Sequence, residues 1–322
     1  MSVSIAFQTD KPLSAYGPLA AAAEEGGFDG VSVFNDMLYQ PAWLPLLEIA
    51  RATNRVRIGP AAVNPFTCHP INIAANIALI DEASQGRAYL GFARGAWLDF
   101  VGLEPQRPVL ALREAMLAVR YLLLRSTEPL VGEIFPLAGG DALRWDAIRP
   151  DIPFLLGSWG PRMIRTGLDL VDEIKLGGTA NPAVGSWFRS QVGDAPVKLV
   201  AGAVTVVDED GAAARARARR EVALYLPVVA ELGPGLGIDP ELLAALRAAT
   251  ARYDFEAAAR LISNDLLRLI AFAGTPTDVA DQALDLFAAG VDRVEFGTPH
   301  GLTEKTGVRL LGERVLPALR HR

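Results

Sequence analysis

The sequence predicts an α/β fold, a closed (β/α)8 TIM barrel, and three observations support this prediction. Short apolar segments alternate with longer segments of helical periodicity, which is the pattern of parallel strands joined by helices. The strand candidates are apolar at nearly every position, which indicates burial on both faces of the sheet. Eight such units within 322 residues favour a closed barrel over an open sheet. We expect one domain that spans residues 1–322.

The predicted strands are short and apolar, and a helical segment follows most of them. The strands are expected at 4–9, 30–34, 56–63, 88–93, 153–159, 173–178, 198–207 and 293–297. Helices are expected at 19–27, 44–53, 71–86, 111–126, 279–290 and 307–320. Residues 127–150 and 209–272 interrupt this alternation, the first with a short hairpin and the second with an Arg-rich helix and a Gly/Pro loop. They predict insertions after strands 4 and 7, at the rim that holds the active site in barrel enzymes.

Charge and cysteine content exclude several classes of function. The net charge of −6 argues against nucleic acid or an anionic membrane as a partner. Cys68 is the only cysteine, so a disulfide framework is excluded. No segment offers 18 uninterrupted apolar residues, and the first residues lack the pattern of a signal peptide. We therefore expect a cytoplasmic protein that acts on a small molecule.

The sequence offers no metal site and no nucleophile motif. The histidines His69, His300 and His321 are far apart, and no HExxH, GxSxG, GxGxxG or GxxxxGK[ST] pattern occurs. Cys68 stands beside His69, but adjacent residues of an extended segment point to different sides. We therefore expect no metal ion and no thiolate chemistry.

The third predicted strand contains an irregularity, because it runs through "IGPAAVNPFTCHP" (58–70). Proline cannot donate to a strand ladder and belongs at strand edges, ends or bulges. In a barrel this stretch is the carboxyl end of strand three, on the face where active sites lie. A distorted strand end that carries Asn64 is therefore a candidate site.

Polar residues also close the first two strands. Gln8 and Asp10 end strand one, and Asn35 and Asp36 follow strand two, where functional residues lie in barrels. An Asp at a strand end is equally typical of a turn or a helix N-cap. Both interpretations are consistent with the local sequence.

Two glycine-rich turns follow strands four and five. Arg94 and Gly95 stand at the end of strand four, and Trp97 is either rim packing or a ring-stacking wall. After strand five, a glycine-rich turn leads into a helix, where free N–H groups and the helix dipole can bind an anion. A plain turn between strand and helix explains it equally well. The residues of this second turn are Gly157, Ser158, Trp159, Gly160, Pro161 and Arg162.

Five segments together resemble the bacterial luciferase-like monooxygenase superfamily. The chain is most similar to its coenzyme F420-dependent branch, which includes methylenetetrahydromethanopterin reductase. The resemblance covers nearly the whole chain and implies a (β/α)8 barrel, a deazaflavin cofactor and commonly a homodimer. Members that use FMN share this barrel, so FMN is the alternative cofactor. The segments are GFDGVSVFND, RIGPAAVNPFTCHP, GRAYLGFARGAW, LLGSWGPRM and GVDRVEFGTPHG.

The resemblance implies roles for particular residues. A strand-three bulge with a non-prolyl cis peptide backs the deazaflavin ring in this family, and by position it falls on Ala61–Ala62, just before Asn64. Arg94 and Gly95 become cofactor neighbours, and residues 157–162 become a cofactor phosphate loop.

The chain also departs from its relatives in two strand ends. Many relatives carry Asp-His after strand two, where this chain has Asn35 and Asp36, and the pterin reductases carry Glu in strand one, where this chain has Ala6.

The function expected from the resemblance is an F420-dependent oxidoreductase that moves a hydride between the deazaflavin and a small organic substrate. Asp36 is expected to handle the accompanying proton, with Asn35 and Gln8 as hydrogen-bond partners. An FMN-dependent monooxygenase and a non-catalytic barrel that binds a ligand are the alternatives. Pocket walls are expected from Trp43, Trp97, Trp159 and Phe66.

Overall fold

The structure, a computed structural model, describes residues 1–320. Its strands form one sheet in which every pair of neighbouring strands is parallel. In chain order the strands are β1 Ser2–Phe7, β2 Gly30–Val33, β3 Arg57–Pro60, β4 Leu90–Ala93, β5 Phe154–Gly157, β6 Glu173–Gly177, β7 Lys198–Val207, β8 Ala271–Gly274 and β9 Arg293–Gly301.

Eight of these strands close into a barrel. The order around the sheet is β3-β2-β1-β9-β7-β6-β5-β4. Two isolated parallel bridges, Ile58 to Ala88 and Val63 to Phe92, join the first and last strands of this order. The predicted (β/α)8 barrel is thus confirmed. The strand β8 was not expected, and it pairs only with the carboxyl half of β7, outside the ring.

Helices follow most of the strands and cover the outside of the barrel. The helices are α1 Tyr16–Glu25, α2 Trp43–Ala52, α3 Pro70–Ala83, α4 Pro108–Leu124, α5 Pro161–Gly167, α6 Val184–Val192, α7 Gly211–Val222, α8 Leu226–Val229, α9 Pro240–Ala251, α10 Phe255–Leu261, α11 Asn264–Ile270, α12 Pro276–Ala288, α13 Glu304–Leu310 and α14 Leu316–Arg320, with 3-10 turns at Leu13–Ala15 and Leu98–Val101 and a π-helical turn at Leu311–Val315. None of these helices combines the length and the apolar character that crossing a membrane requires.

Local sequence signals set several helix starts. The Asp210 side chain accepts hydrogen bonds from two N–H groups at the start of α7. Thr275 and Asp278 form a reciprocal capping box at the start of α12. Proline occupies the first turn of α3, α4, α5, α9 and α12, where the missing N–H has no helical partner to lose.

The two insertions occupy different places. Residues 127–150 follow α4 rather than β4, and they run along the outside of that helix. The Glu114 carboxylate accepts hydrogen bonds from the N–H groups of residues 133–135, and Arg149 pairs with Asp81 at the end of α3. This insertion therefore does not build the catalytic rim that was expected. Residues 209–272 do contribute to the rim, through the segment around Tyr225.

The two histidines within residues 1–320 have structural roles: one caps a helix and the other is buried in the core. His69 caps α3 through its Nδ1, and His300 is fully buried with its Nε2 3.1 Å from the Ala6 carbonyl oxygen. Burial and the nearby Lys11 ammonium lower the pKa of His300 to about 3. His321 lies outside the described residues.

The barrel interior is not filled by large branched side chains at its carboxyl end. Four strands contribute glycines that line the interior, two at strand ends and two within their strands, and a Cβ added at Gly177 would meet no atom within 4 Å. Below them, Tyr89, Leu155 and Val200 form a small buried cluster inside the ring. The missing side chains leave a large cavity at the carboxyl ends of the strands. The four glycines are Gly157, Gly177, Gly202 and Gly297.

Candidate active site

A cavity of about 1090 Å³ opens at the carboxyl ends of the barrel strands. This is the end of the barrel where the connections from strand to helix meet, and where barrel enzymes carry their catalytic groups. The predicted residues that line the cavity are Gln8, Asn35, Asp36, Ala61, Ala62, Asn64, Arg94, Gly95, Gly157, Ser158 and Trp159. The sequence thus located the cavity from strand ends far apart in the chain.

The end of β3 forms one wall of the cavity. The Ala61–Ala62 peptide bond is cis, as the resemblance implied. Ala61 donates its N–H to the Val33 carbonyl oxygen at 2.8 Å, and Val63 donates to the Gly91 carbonyl oxygen at 2.9 Å. The neighbouring strands therefore hold the irregular backbone on both sides. Because both cavity-lining residues are alanines, this wall is largely backbone.

Asn64 fixes the turn that follows this wall. Its Oδ1 accepts hydrogen bonds from the N–H groups of Phe66 and Thr67 and from the Thr67 hydroxyl, at 3.0, 2.9 and 3.1 Å. Its Nδ2 faces Gly95, where an added Cβ would stand only 3.0 Å away. The absence of a side chain at Gly95 therefore allows the loops after β3 and β4 to meet at the cavity.

Gln8 and Asp36 form the polar corner of the cavity. Gln8 donates from Nε2 to Asp36 Oδ2 at 2.8 Å, and its Oε1 accepts from the Thr9 N–H at 2.8 Å. Both ends of the Gln8 amide are thus engaged, so the side chain has one orientation. The expected Gln8–Asp36 hydrogen bond is present, and it engages one of the two carboxylate oxygens of Asp36.

Asn35 lines the cavity, and its side-chain oxygen holds the backbone of the following loop. Its Oδ1 accepts from the Ala42 N–H at 3.0 Å, which fixes the loop between β2 and α2. The hydrogen bonds of the described residues include none between Asn35 and Asp36. The sequence could not separate a loop-fixing Asn from one that contacts Asp36, because both follow a strand end.

The turn after β5 reaches the cavity with only its first three residues. The Ser158 hydroxyl accepts from the Gly160 N–H at 3.1 Å, and Pro161 begins α5. Gly160, Pro161 and Arg162 are exposed beside the cavity and do not line it. The free N–H groups of the first turn of α5 thus begin at Arg162, since Gly160 already has a partner and Pro161 has no N–H.

Two of the four aromatic residues expected on the cavity wall line it. Trp43 and Trp159 line it, and Trp159 donates from Nε1 to the Gly177 carbonyl oxygen at 2.9 Å. Trp97 packs against Tyr225 instead, with ring centroids 6.0 Å apart, and Phe66 is also absent from the cavity wall. Whether Trp97 and Phe66 line the cavity depends on the orientation of their side chains within a loop. The sequence carries no signal for that orientation.

A buried ion pair at the base of the cavity was missed by the sequence analysis. Lys175 on β6 and Glu295 on β9 both line the cavity, and the ammonium contacts the Glu295 Oε1. The other carboxylate oxygen accepts from Arg293 at 3.3 Å and from the hydroxyls of Ser4 and Ser32. Glu295 is 1% exposed. Burial alone would raise its pKa, but the Lys175 and Arg293 cations outweigh burial and lower it to about 2.

The ion pair continues as a chain of charges toward the opposite end of the barrel. Arg293 donates to Glu173 at 2.6 Å, and Arg57 donates to the same carboxylate at 3.1 Å. Burial opposes ionisation of Glu173, yet the two guanidinium groups lower its pKa. A sequence signal for this chain exists, because charges stand two residues apart in "EIKLG" and in "RVEFG". Such spacing places both charges on one face of a strand.

The insertion after β7 adds a phenol to the rim. Tyr225, between α7 and α8, lines the cavity together with Glu221. Burial raises the pKa of Tyr225 to about 12, and the negative charge of Asp36 adds to this effect. The phenol is therefore neutral at physiological pH and can donate a hydrogen bond into the cavity.

Comparison with known proteins supports both the barrel fold and the family resemblance seen in the sequence. The luciferase-like monooxygenase family model matches residues 3–293. A 5,10-methylenetetrahydromethanopterin reductase of Archaeoglobus fulgidus is 29% identical over 316 residues, which cover 92% of this chain and 93% of the relative. The coenzyme F420-dependent tetrahydromethanopterin reductase of Methanopyrus kandleri superposes with a TM-score of 0.89 at 25% identity, over 99% of both chains. An F420-dependent secondary alcohol dehydrogenase, solved with an F420–acetone adduct, shares the fold, with a TM-score of 0.76 at 19% identity over 99% of both chains.

Proposed function

Because the chain belongs to the luciferase-like monooxygenase family, we propose that it is a coenzyme F420-dependent oxidoreductase that transfers a hydride between the deazaflavin and a small organic substrate. The resemblance identified in the sequence is thereby confirmed at the level of the family. The reductases of Archaeoglobus fulgidus and Methanopyrus kandleri, similar to this chain over almost its full length, are named for methanopterin-type substrates. They support a reductase that acts on a small molecule.

The observation that carries the proposal is the shape of the cavity. Its volume of about 1090 Å³ lies just above the usual range for cofactor and ligand sites, roughly 300–1,000 Å³, so it is large enough for a cofactor together with a substrate. Backbone and small residues form its wall at Ala61–Ala62, so a flat ring can lie against this wall without displacing a side chain. At Gly177 even an added Cβ would find open space. These features fit a deazaflavin.

The cofactor-binding residues that we propose surround this space. Ala61 and Ala62 would back the ring, and Asn64 would offer its Nδ2 toward it beside Gly95. Arg94 supplies a cation at the same wall. Gly157 and Ser158 lead into α5, where the Arg162 N–H and side chain are free to meet a phosphate just outside the cavity. Trp159 and the start of α5 at Gly160 and Pro161 complete that turn.

When bound, coenzyme F420 supplies the carbon that gives or takes the hydride. The chain's own part is to orient both reactants, to exclude water and to handle one proton. We assign the proton to the Asp36 carboxyl, because the Gln8 hydrogen bond of 2.8 Å holds one of its oxygens and leaves the other available. A positioned acid or base of this kind contributes about 10²–10⁴ to a rate.

Cofactor titration tests the proposal directly. Fluorescence titration of the purified protein with oxidised F420 should give saturable binding, and FMN should bind much more weakly. Tight retention of FMN without binding of F420 would contradict the proposal and favour the oxygen-using members of the family. Failure to bind either cofactor would favour a non-catalytic barrel.

The role of Asp36 is tested by Asp36→Asn, with turnover followed through the deazaflavin absorbance on a panel of pterin, imine and carbonyl substrates. We expect kcat to fall by about 10² or more, with little change in the Kd for F420. Asp99→Asn is the matched control, because Asp99 is an exposed rim carboxylate that does not line the cavity. Unchanged turnover in Asp36→Asn would remove Asp36 from the mechanism.

We also propose that the chain is a single folding unit that forms a cytoplasmic homodimer. Ile71 and Leu79 are about half exposed on the outer stripe of α3, where a second copy could cover them. Light scattering after size-exclusion chromatography tests the dimer, and a monomer at all concentrations would contradict it.

A further inference from the structure

We propose that Lys175 anchors a carboxylate group of the substrate at the base of the cavity. This inference rests on the proposed function and narrows its substrate class to small organic acids. It starts from the Lys175–Glu295 ion pair, which the proposed reaction does not itself require.

The position of Lys175 places it on the side of the substrate rather than of the cofactor. The proposed ring-backing wall is the end of β3, and β7 lies four places from β3 around the ring of strands. Lys175 on β6 and Glu295 on β9 flank β7 and line the cavity. A deazaflavin ring that lies against Ala61–Ala62 therefore presents its other face to the side of the cavity that carries Lys175.

The Lys175 ammonium has donor capacity that the protein does not use. An ammonium carries three N–H donors. Within residues 1–320, its recorded hydrogen-bond partner is Glu295 Oε1, and its other close neighbour is the Phe34 ring, whose centroid lies 5.0 Å away. The side chain is only 10% exposed. Two donors thus remain for a ligand in a largely desolvated place, where a charged hydrogen bond is strong.

The pairing within the buried cluster also leaves room for an anion at its cavity end. The cluster contains three cations and two carboxylates, and each carboxylate is shared between two cations. Arg57, at the far end, is 42% exposed by its side chain and is partly solvated. At the cavity end, Glu295 divides its two oxygens between Lys175 and the group of Arg293, Ser4 and Ser32. A ligand carboxylate would complete the coordination of Lys175.

Calorimetric titration with matched probes tests the proposal. The F420-loaded protein is titrated with benzoate and acetate, and with benzamide and acetamide, which keep the shape and remove the charge. We expect the wild type to bind each carboxylate more tightly than its amide. Lys175→Met should weaken carboxylate binding by about tenfold or more, as loss of a charged hydrogen bond predicts, and leave amide binding and the Kd for F420 unchanged.

Two further variants keep the test decisive. Lys198→Met is the matched control, because Lys198 is exposed at the start of β7 and does not line the cavity. Lys175→Gln replaces Lys175→Met if the latter does not fold. In both Lys175 variants Glu295 keeps Arg293, Ser4 and Ser32 as partners.

The outcomes separate this proposal from the proposed function. Carboxylate affinity that is unchanged in the Lys175 variants would overturn it, as would a wild type that binds neither carboxylate. A Kd for F420 that rises in Lys175→Met would overturn it in another way, by assigning the ammonium to the cofactor. A wild type that does not bind F420, yet prefers carboxylates through Lys175 in titrations without cofactor, would refute the proposed function and support the anchor.

Discussion

The buried carboxylate of Glu295 makes the stability of this protein sensitive to acid in a way that can be calculated. The substitution Glu295→Gln keeps the size of the side chain and removes its charge. The folded pKa is about 2, against 4.5 for the ordinary group. On acidification the unfolded chain therefore takes up this proton first. The stabilisation from Glu295 is fully present well above pH 4.5 and is lost as the pH falls toward 2.

The magnitude follows from the two pKa values. A tenfold change in proton affinity corresponds to about 1.4 kcal/mol, so the full contribution of Glu295 at neutral pH is on the order of 3 kcal/mol. This agrees with the cost of breaking a buried ion pair by removing one partner, about 3–5 kcal/mol. Between pH 7 and pH 3.5 the wild type should lose on the order of 1 kcal/mol through Glu295.

Urea unfolding curves at pH 7, 5, 4 and 3.5 measure this contribution. Glu295→Gln should be destabilised at pH 7, and its free energy of unfolding should approach that of the wild type as the pH falls. Glu313→Gln is the matched control, because Glu313 is an exposed carboxylate paired with Arg309 on the outside. If the wild-type and Glu295→Gln curves run parallel from pH 7 to 3.5, Glu295 is not held ionised by Lys175 and Arg293, and the reasoning fails.

Two glycines should respond to substitution in opposite ways. Gly177→Leu should leave the melting temperature nearly unchanged, because its side chain would enter open cavity space. For the same reason it should abolish F420 binding in a fluorescence titration. Retained binding would place the cofactor elsewhere. Gly59→Ala should lower the melting temperature markedly, because its Cβ would stand 2.2 Å from the Tyr89 carbonyl oxygen and overpacking costs about 1–3 kcal/mol or more. Gly157→Ala is its control, since that Cβ makes an ordinary 3.5 Å contact with Ala93, and equal melting temperatures for Gly59→Ala and its control would contradict the steric argument.

The ring of strands could be predicted because its signal is local and repeated. Each barrel strand is a short apolar run followed in most cases by a helical segment, and this pattern survives errors of one or two residues at its ends. The strand β8 escaped prediction for a local reason. Its four residues, Ala271–Gly274, follow the last residue of α11 directly, with no turn residue between them. A short apolar run joined to a helix has the same sequence pattern as the end of that helix.

Local sequence predicted polar site residues where a strand end and a polar residue coincide, whereas the Ala61–Ala62 wall was predicted from the family resemblance. Gln8 and Asp36 satisfy this rule, and closure of the barrel brings them within hydrogen-bond distance although 28 residues separate them. Lys175 and Glu295 lie within their strands and are 120 residues apart. Their contact depends on the inward rotation of two separate strands. The charges at alternate positions predict a polar face on each strand, but only the closed ring pairs one face with the other.

The contrast between the base and the mouth of the cavity has a consequence for how a substrate would lie. The loops contribute the carboxylates Asp36 and Glu221 and the Arg94 guanidinium, and the Lys175–Glu295 ion pair lines the cavity from within the strands. If Lys175 holds the carboxylate as proposed, a substrate with a single carboxylate has one favoured direction in the cavity, with its uncharged part toward the loops. Uncharged side chains such as Trp43, Trp159 and Val204 also line the cavity, and they add no charge that would reverse this preference. The orientation of the substrate would therefore be set by charge, and an amide of the same shape should lose it.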